Sequence, residues 1–218
     1  MTKTAVNKTT DVAKVQQTLS IAFGDSAACQ YLITKFEDRT ATEPLTKEEI
    51  YQSYSTLSKK YMAQGGFLLE AGDYDCVAVV VPPLENHAKA QRTKDPLFNK
   101  QFIEAGENYK KALGLGTKLK MFYLFMIGKN LNQPEVRGSA RAILEYLKEE
   151  ADKQDAAVIL EAINEKAKKV YEYFGFMDYG EINYGKGEVN SQGEPDSNGE
   201  GFKANFMVYY KGGKLPIN

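Results

Sequence analysis

The sequence predicts one mixed α/β domain, and three observations carry that reading. Apolar residues recur at helical spacing in some segments and in continuous or alternating β-rich runs in others. The two kinds of segment are interleaved along the chain rather than segregated into separate blocks. No Pro/Gly/Ser-rich linker divides the 218 residues into two cores, and that length suits one sizeable domain, spanning 1–218. Hydrophobic residues make up 43% and charged residues 26%, an ordinary globular mix that excludes a disordered chain.

The elements follow in order. Residues 3–9 alternate in polarity as a short edge strand does. Asp11 opens a helix whose Val12, Val15, Leu19 and Phe23 share one face. Thr46 and Glu49 form a capping-box pair, with Leu45 and Ile50 placed as a hydrophobic staple. Ile50, Tyr54, Leu57 and Tyr61 then mark a stripe that ends before Gly65-Gly66. Phe67–Ala71 and Cys76–Val81 are β-rich runs joined at Gly72-Asp73, a hairpin that Pro82-Pro83 closes. A helix is expected over 96–113, stopped by Gly114 and Gly116. Residues 121–127 and 157–162 read as strands buried on both faces. Between them lie a loop, 128–137, and a helix with Ala140, Ile143, Leu144, Leu147 and Ala151 on one side. Asn164 begins a last helix, with Ala167, Val170, Tyr171 and Phe174 on one face and Gly175 as its stop. Strands 176–184 and 202–210 flank a polar tract, 185–201, expected to be mobile and solvated.

Composition narrows the chemistry. Lys plus Arg total 28 against 29 Asp plus Glu, a net charge of −1 that gives no basic grip on nucleic acid. No apolar run approaches the ~20 residues of a membrane helix, and the polar start is no signal peptide. Two cysteines and one histidine are too few for a disulfide framework or a metal cluster, so no metal is expected. A reducing compartment, cytoplasmic or nuclear, fits this usage.

The most informative segment is 134–142, between a buried strand and a helix. The first amides of a helix lack internal partners and sit at the positive end of its dipole, so an anion satisfies both. Gly138, Ser139, Ala140 and Ala142 are small enough to admit a diphosphate, and Arg137 and Arg141 add charge. An ordinary turn with small residues for packing accounts for the same pattern.

Arg137-x-x-Ala140-x-Ala142 resembles the pyrophosphate-binding motif of the GCN5-related N-acetyltransferase superfamily: Gln or Arg, two residues, Gly, one residue, then Gly or Ala. Leu160-Glu161-Ala162 with Asn164, Ala167, Tyr171 and Gly175-Phe176 is similar to that family's next motif, in the right order. The resemblance covers about 120–180 well and is closest to fungal and bacterial members that look like puromycin-type acetyltransferases. Ala140 stands where Gly is usual, and the stretch 128–133 is longer than the usual connection.

The resemblance implies a twisted mixed sheet, mostly antiparallel, with central strands that splay beyond residue 127 and helices on both faces. It implies acetyl-CoA as cosubstrate and direct transfer of acetyl to an amine, in a monomer or homodimer. Tyr171 matches the family's proton donor to the CoA sulfur; by spacing alone it is a core residue. Asn164 is placed to hold the pantetheine arm and is also a natural helix N-cap. Backbone groups from Ile127 to Lys129 are placed along that arm, with the Lys129 side chain directed away from the thioester. The base is open: Glu161, a carboxylate in an apolar strand, is either base, substrate anchor or half of an ion pair, and Tyr123 and Tyr184 are alternative relays. His87 reads as surface, Cys76 as core, and Cys29 as unreactive. Glu188, Glu194, Asp196 and Glu200 read as solvated surface, or as attractors of a cationic amine. The acceptor is a small amine, or alternatively a protein lysine or N-terminus; a CoA-binding module without catalysis is the reading from another class.

Overall fold

The computed structural model describes residues 4–39, 45–84 and 92–216. Strands β1 (Val6–Thr9), β2 (Phe67–Ala71), β3 (Cys76–Val81), β4 (Lys120–Lys129), β5 (Ala156–Ala162), β6 (Met177–Tyr184) and β7 (Phe202–Tyr209) form one sheet. Their order is β1-β2-β3-β4-β5-β7-β6, with every neighbouring pair antiparallel except β4 and β5. The helices are α1 (Val12–Phe23), α2 (Ala27–Phe36), α3 (Lys47–Ala63), α4 (Pro96–Phe98), α5 (Glu104–Ala112), α6 (Ser139–Lys153) and α7 (Glu165–Tyr173). A π-helical stretch, Asn99–Ile103, joins α4 to α5 without a break.

Local chemistry sets the boundaries. Thr46 and Glu49 make both bonds of the capping box that starts α3. The Asp11, Ser26 and Asn164 side chains cap α1, α2 and α7. Alternation along β2 sends Leu69 toward α6 and Leu68 toward α1 and α3. One sheet face is therefore covered by α6 over Ala78, Val80, Val158, Leu160 and Met207. The other face has two covers: α1 and α3 over Val77 and Val79, and α2 with the α4–α5 region over Ile159, Ala204 and Phe206.

The seam between β4 and β5 positions the site. Parallel pairing runs only from Lys120↔Ala156 to Tyr123↔Ile159. The splay thus begins after Tyr123, four residues before the expected point. A bulge explains it: Val79 pairs with Met126 and Val80 with Leu124, so Phe125 is the extra residue and bends β4 away from β5.

Two further expectations are corrected. Helix α2 was not anticipated, because it is buried on two sides: Ile33 packs with α1 and α3, while Ala27, Ala28, Tyr31 and Leu32 pack toward β6 and β7. Two buried faces leave no clean amphipathic stripe. The tract 185–201 is folded, while Glu194, Asp196 and Glu200 are exposed on its surface as expected. Val189 is buried, its carbonyl accepts from the Gly201 amide at 2.9 Å, and it bridges Pro195. Glu188 accepts from the Tyr31 hydroxyl and the Lys35 ammonium at 2.6 Å each, and Lys35 also pairs with Asp95. Glu194, Asp196 and Glu200 accept hydrogen bonds from Asn190, Asn198 and Ser191 within the tract. A polar composition is compatible with order when the polar groups bond one another.

Candidate functional site

Two concavities flank α7. The first is a cleft of about 800 Å³ between the start of α6 and the outer face of α7. Gly138, at φ 89°, is the N-cap of α6 and offers no side-chain cap. That left-handed backbone favours glycine. The first helical amide with an acceptor is that of Ala142, bonded to the Gly138 carbonyl, so those of Ser139, Ala140 and Arg141 are left over. Lys129, Arg137, Arg141, Lys166 and Lys169 line the cleft, and among the described residues no carboxylate does. The Arg141 guanidinium donates to the Tyr173 hydroxyl at 2.9 Å.

The loop is held from below by a network the sequence did not reveal. Asp75, fully buried in the β2–β3 turn, accepts from the Ser139 hydroxyl and pairs with the Lys129 ammonium at 3.1 Å. Its backbone carbonyl accepts from the Asn130 amide at 2.6 Å. The Ser139 side chain is therefore committed to the protein, and only its amide remains for an anion. Lys129 does point away from the splayed strands, but into the cationic cleft. Ala142 is corrected outright: it is buried under α6 among core residues and does not line the cleft. Lys166 and Lys169 were missed. Their signal was available: an i, i+3 pair on the face of α7 opposite Ala167 and Tyr171.

The second concavity, about 180 Å³, lies at the opened seam. Ile127, Glu161, Asn164, Ala167 and Tyr171 all line it, so the residues expected around a thioester converge there. Tyr171 sits in the last turn of α7. Burial, helped by the nearby Cys76, holds its hydroxyl well above the usual tyrosine range. Glu161 is half-buried and not unpaired: the Tyr123 hydroxyl donates to its Oε2 at 2.8 Å. Burial and then the Glu161 charge also push the Tyr123 phenol upward. The Asn164 Oδ1 accepts from the Ala167 amide at 2.8 Å, leaving the other half of its amide group for a second partner. Beyond Tyr123, the β4 backbone groups that face β5 have no strand partner.

Tyr184 is corrected as a relay: it is fully buried against Phe102 and Phe202 and does not line the pocket. Cys76 is core, its thiol pushed up to about 12 by burial and then by the Asp75 charge. Cys29 lines the pocket wall, and burial raises its thiol as well. His87 lies outside the described residues.

Comparison with known proteins agrees with this fold. The family described as the YOR012W acetyl transferase domain matches residues 7–87. The uncharacterized protein YDR391C of Saccharomyces cerevisiae is 41% identical over 210 residues, 95% of this chain and 88% of that protein. Among solved structures, the chain is similar to histone acetyltransferase HPA2 and related acetyltransferase from Corynebacterium glutamicum, at TM-score 0.59 and 19% identity over 95% of this chain and 96% of that one. It is also similar to mosquito arylalkylamine N-acetyltransferase like 5b, at TM-score 0.62 and 12% identity over 95% of this chain and all of the other, 100%.

Proposed function

The chain belongs to the GCN5-related N-acetyltransferase superfamily, and from that premise we propose that residues 1–218 form one acetyl-CoA-dependent N-acetyltransferase domain acting on a small amine. One observation carries the reading: α7 separates a cationic cleft with free helix-terminal amides from an apolar pocket that holds a phenol and a carboxylate. The residues present fit acetyl-CoA. The amides of Ser139, Ala140 and Arg141, with Arg137 and the lysines of the cleft, suit a diphosphate. The unpaired β4 edge and the Asn164 amide suit the pantetheine arm, which runs from one concavity to the other.

When bound, acetyl-CoA supplies an activated acetyl group as a thioester. Tyr171 then acts as general acid toward the departing sulfur, since a phenol is protonated at neutral pH. Glu161 receives a proton from the acceptor amine, with Tyr123 fixing the orientation of its carboxylate. The β4 backbone near Ile127 supplies donors set before charge develops.

The assay is release of free thiol from acetyl-CoA with and without an amine panel. Tyr171→Phe removes only a hydroxyl, so it lowers turnover about 100-fold while acetyl-CoA affinity by calorimetry stays near wild type. Full turnover in that variant defeats the acid assignment. Tyr171 and Glu161 within one pocket favour catalysis over a binding-only module. Among the described residues, no helix is long and apolar enough to cross a membrane.

A further inference from the structure

The lining of the apolar pocket restricts which amines it accepts. We infer that the acceptor is a monoamine carried on an apolar, ring-sized body, with its nitrogen at Glu161; this inference rests on the acetyltransferase reading above. Among the described lining residues Glu161 is the one that carries charge. Apart from the Asn164 amide and the hydroxyls of Tyr54, Tyr123 and Tyr171, the rest of the wall is apolar or aromatic, drawn from α1, α2, α3, the π-helical stretch, the two splayed strands and α7.

The charge inventory excludes two acceptor types. A diamine would bring a second ammonium into a wall whose described residues include no second carboxylate. Asp95 and Glu188 do not supply one, because both are taken by Lys35 and neither lines the pocket. A free amino acid would bring a carboxylate, and among the described residues no cation lines this pocket, the Lys110 ammonium lying over the Tyr123 ring at 4.7 Å without lining it. Burying either charge without a partner is costly.

The rings define the body that fits. Phe36 stands edge-on to Phe102 at 6.1 Å and to Phe125 at 6.4 Å, and Tyr61 stacks on Phe125 at 4.0 Å. These contacts fix the ring planes before a ligand arrives, so an aromatic guest meets a wall already set. In the transfer the N–C bond forms as the C–S bond breaks. Of the two protons the ammonium loses, one passes through Glu161 to solvent, and the other replaces the proton that Tyr171 gives to sulfur.

The test compares kcat/KM for phenethylamine, putrescine, free lysine and a lysine-containing peptide, in wild type and in Leu32→Glu. Leu32 lines the pocket, so the variant supplies the missing second carboxylate. Wild type favours phenethylamine over each of the others at least tenfold, and Leu32→Glu lowers the phenethylamine-to-putrescine ratio at least tenfold. Leu32→Gln, which adds size without charge, leaves that ratio within a few-fold of wild type and serves where the charged variant fails to fold. Preference of the wild type for putrescine, lysine or the peptide overturns the inference and leaves the acetyltransferase reading intact. Acetyl-CoA that binds by calorimetry while phenethylamine is not acetylated overturns it too. Absence of acetyl-CoA binding defeats the reading on which the inference rests.

Discussion

Removing the Ser139 hydroxyl tests whether the phosphate loop is held by Asp75. Asp75 is fully buried, and its two side-chain oxygens have different partners: Oδ2 takes the Ser139 hydroxyl and Oδ1 the Lys129 ammonium. Lys129 is 31% exposed but its partner carboxylate is 0% exposed, so Lys129→Met takes the neutralising charge from a buried group and costs at least about 1.5–3 kcal/mol. Ser139 is 0% exposed, so Ser139→Ala leaves a carboxylate oxygen with no replacement donor. A hydrogen bond to a charged group contributes about 1.5–3 kcal/mol. For a chain of this size each kcal/mol moves Tm by about 2–4 °C, so Ser139→Ala lowers Tm by about 3–12 °C. Because Ser139 is the first residue of α6, the same change loosens the amides beside Gly138 and weakens acetyl-CoA binding in calorimetry. Thermal melting with and without acetyl-CoA reads both effects. A Tm within 1 °C of wild type, together with unchanged affinity, refutes the lock.

Glu161→Gln abolishes the acidic limb of the pH–rate profile and leaves Tm within a few degrees, since the amide still accepts from Tyr123; an unchanged profile removes Glu161 as base. Lys166→Glu with Lys169→Glu weakens acetyl-CoA binding at least tenfold at low ionic strength, with a smaller loss in high salt; calorimetry at two salt concentrations checks it. The pH dependence of stability has a worked sign at Asp95. Burial tends to raise its carboxyl, but the Lys35 hydrogen bond and the Phe98 amide outweigh that and hold it below its ordinary 3.8. Its contribution is complete above that ordinary value and disappears as pH falls through the lowered one. The urea midpoint therefore drops below pH 4, and Asp95→Asn flattens that drop; parallel slopes in the two proteins would contradict it.

Much of the fold was legible because local rules agreed with the final structure. The capping box at Thr46, the β2–β3 pair and the α7 cap at Asn164 depend on residues close in sequence. What escaped depends on distant partners. The Ser139 hydroxyl meets Asp75 across 64 positions, and Glu188 reaches Tyr31 across 157. No periodicity reports such a pair. Helix α2 was hidden by being apolar on two sides, and Ala142 was misassigned because small residues serve a close-packed core as well as a phosphate. The Glu161 and Tyr171 convergence was foreshadowed by motif order, whereas the Tyr123 bond to Glu161 required the short parallel seam.

That seam joins two antiparallel halves that cover each other. Helix α6 follows β4 in the chain yet packs over β2 and β3, whereas α2 and α5 precede it and cover β6 and β7: Tyr109 stacks on Phe206 at 5.3 Å, and Tyr31 lies against Phe202 at 5.6 Å. Each half therefore takes the cover of one of its two faces from the other. Cleaving the exposed link at 131–135 would yield two fragments that stay associated, and expressing either alone would leave a bare sheet face prone to aggregation. A truncation that spares every residue of one half still strips that half of one of its covers.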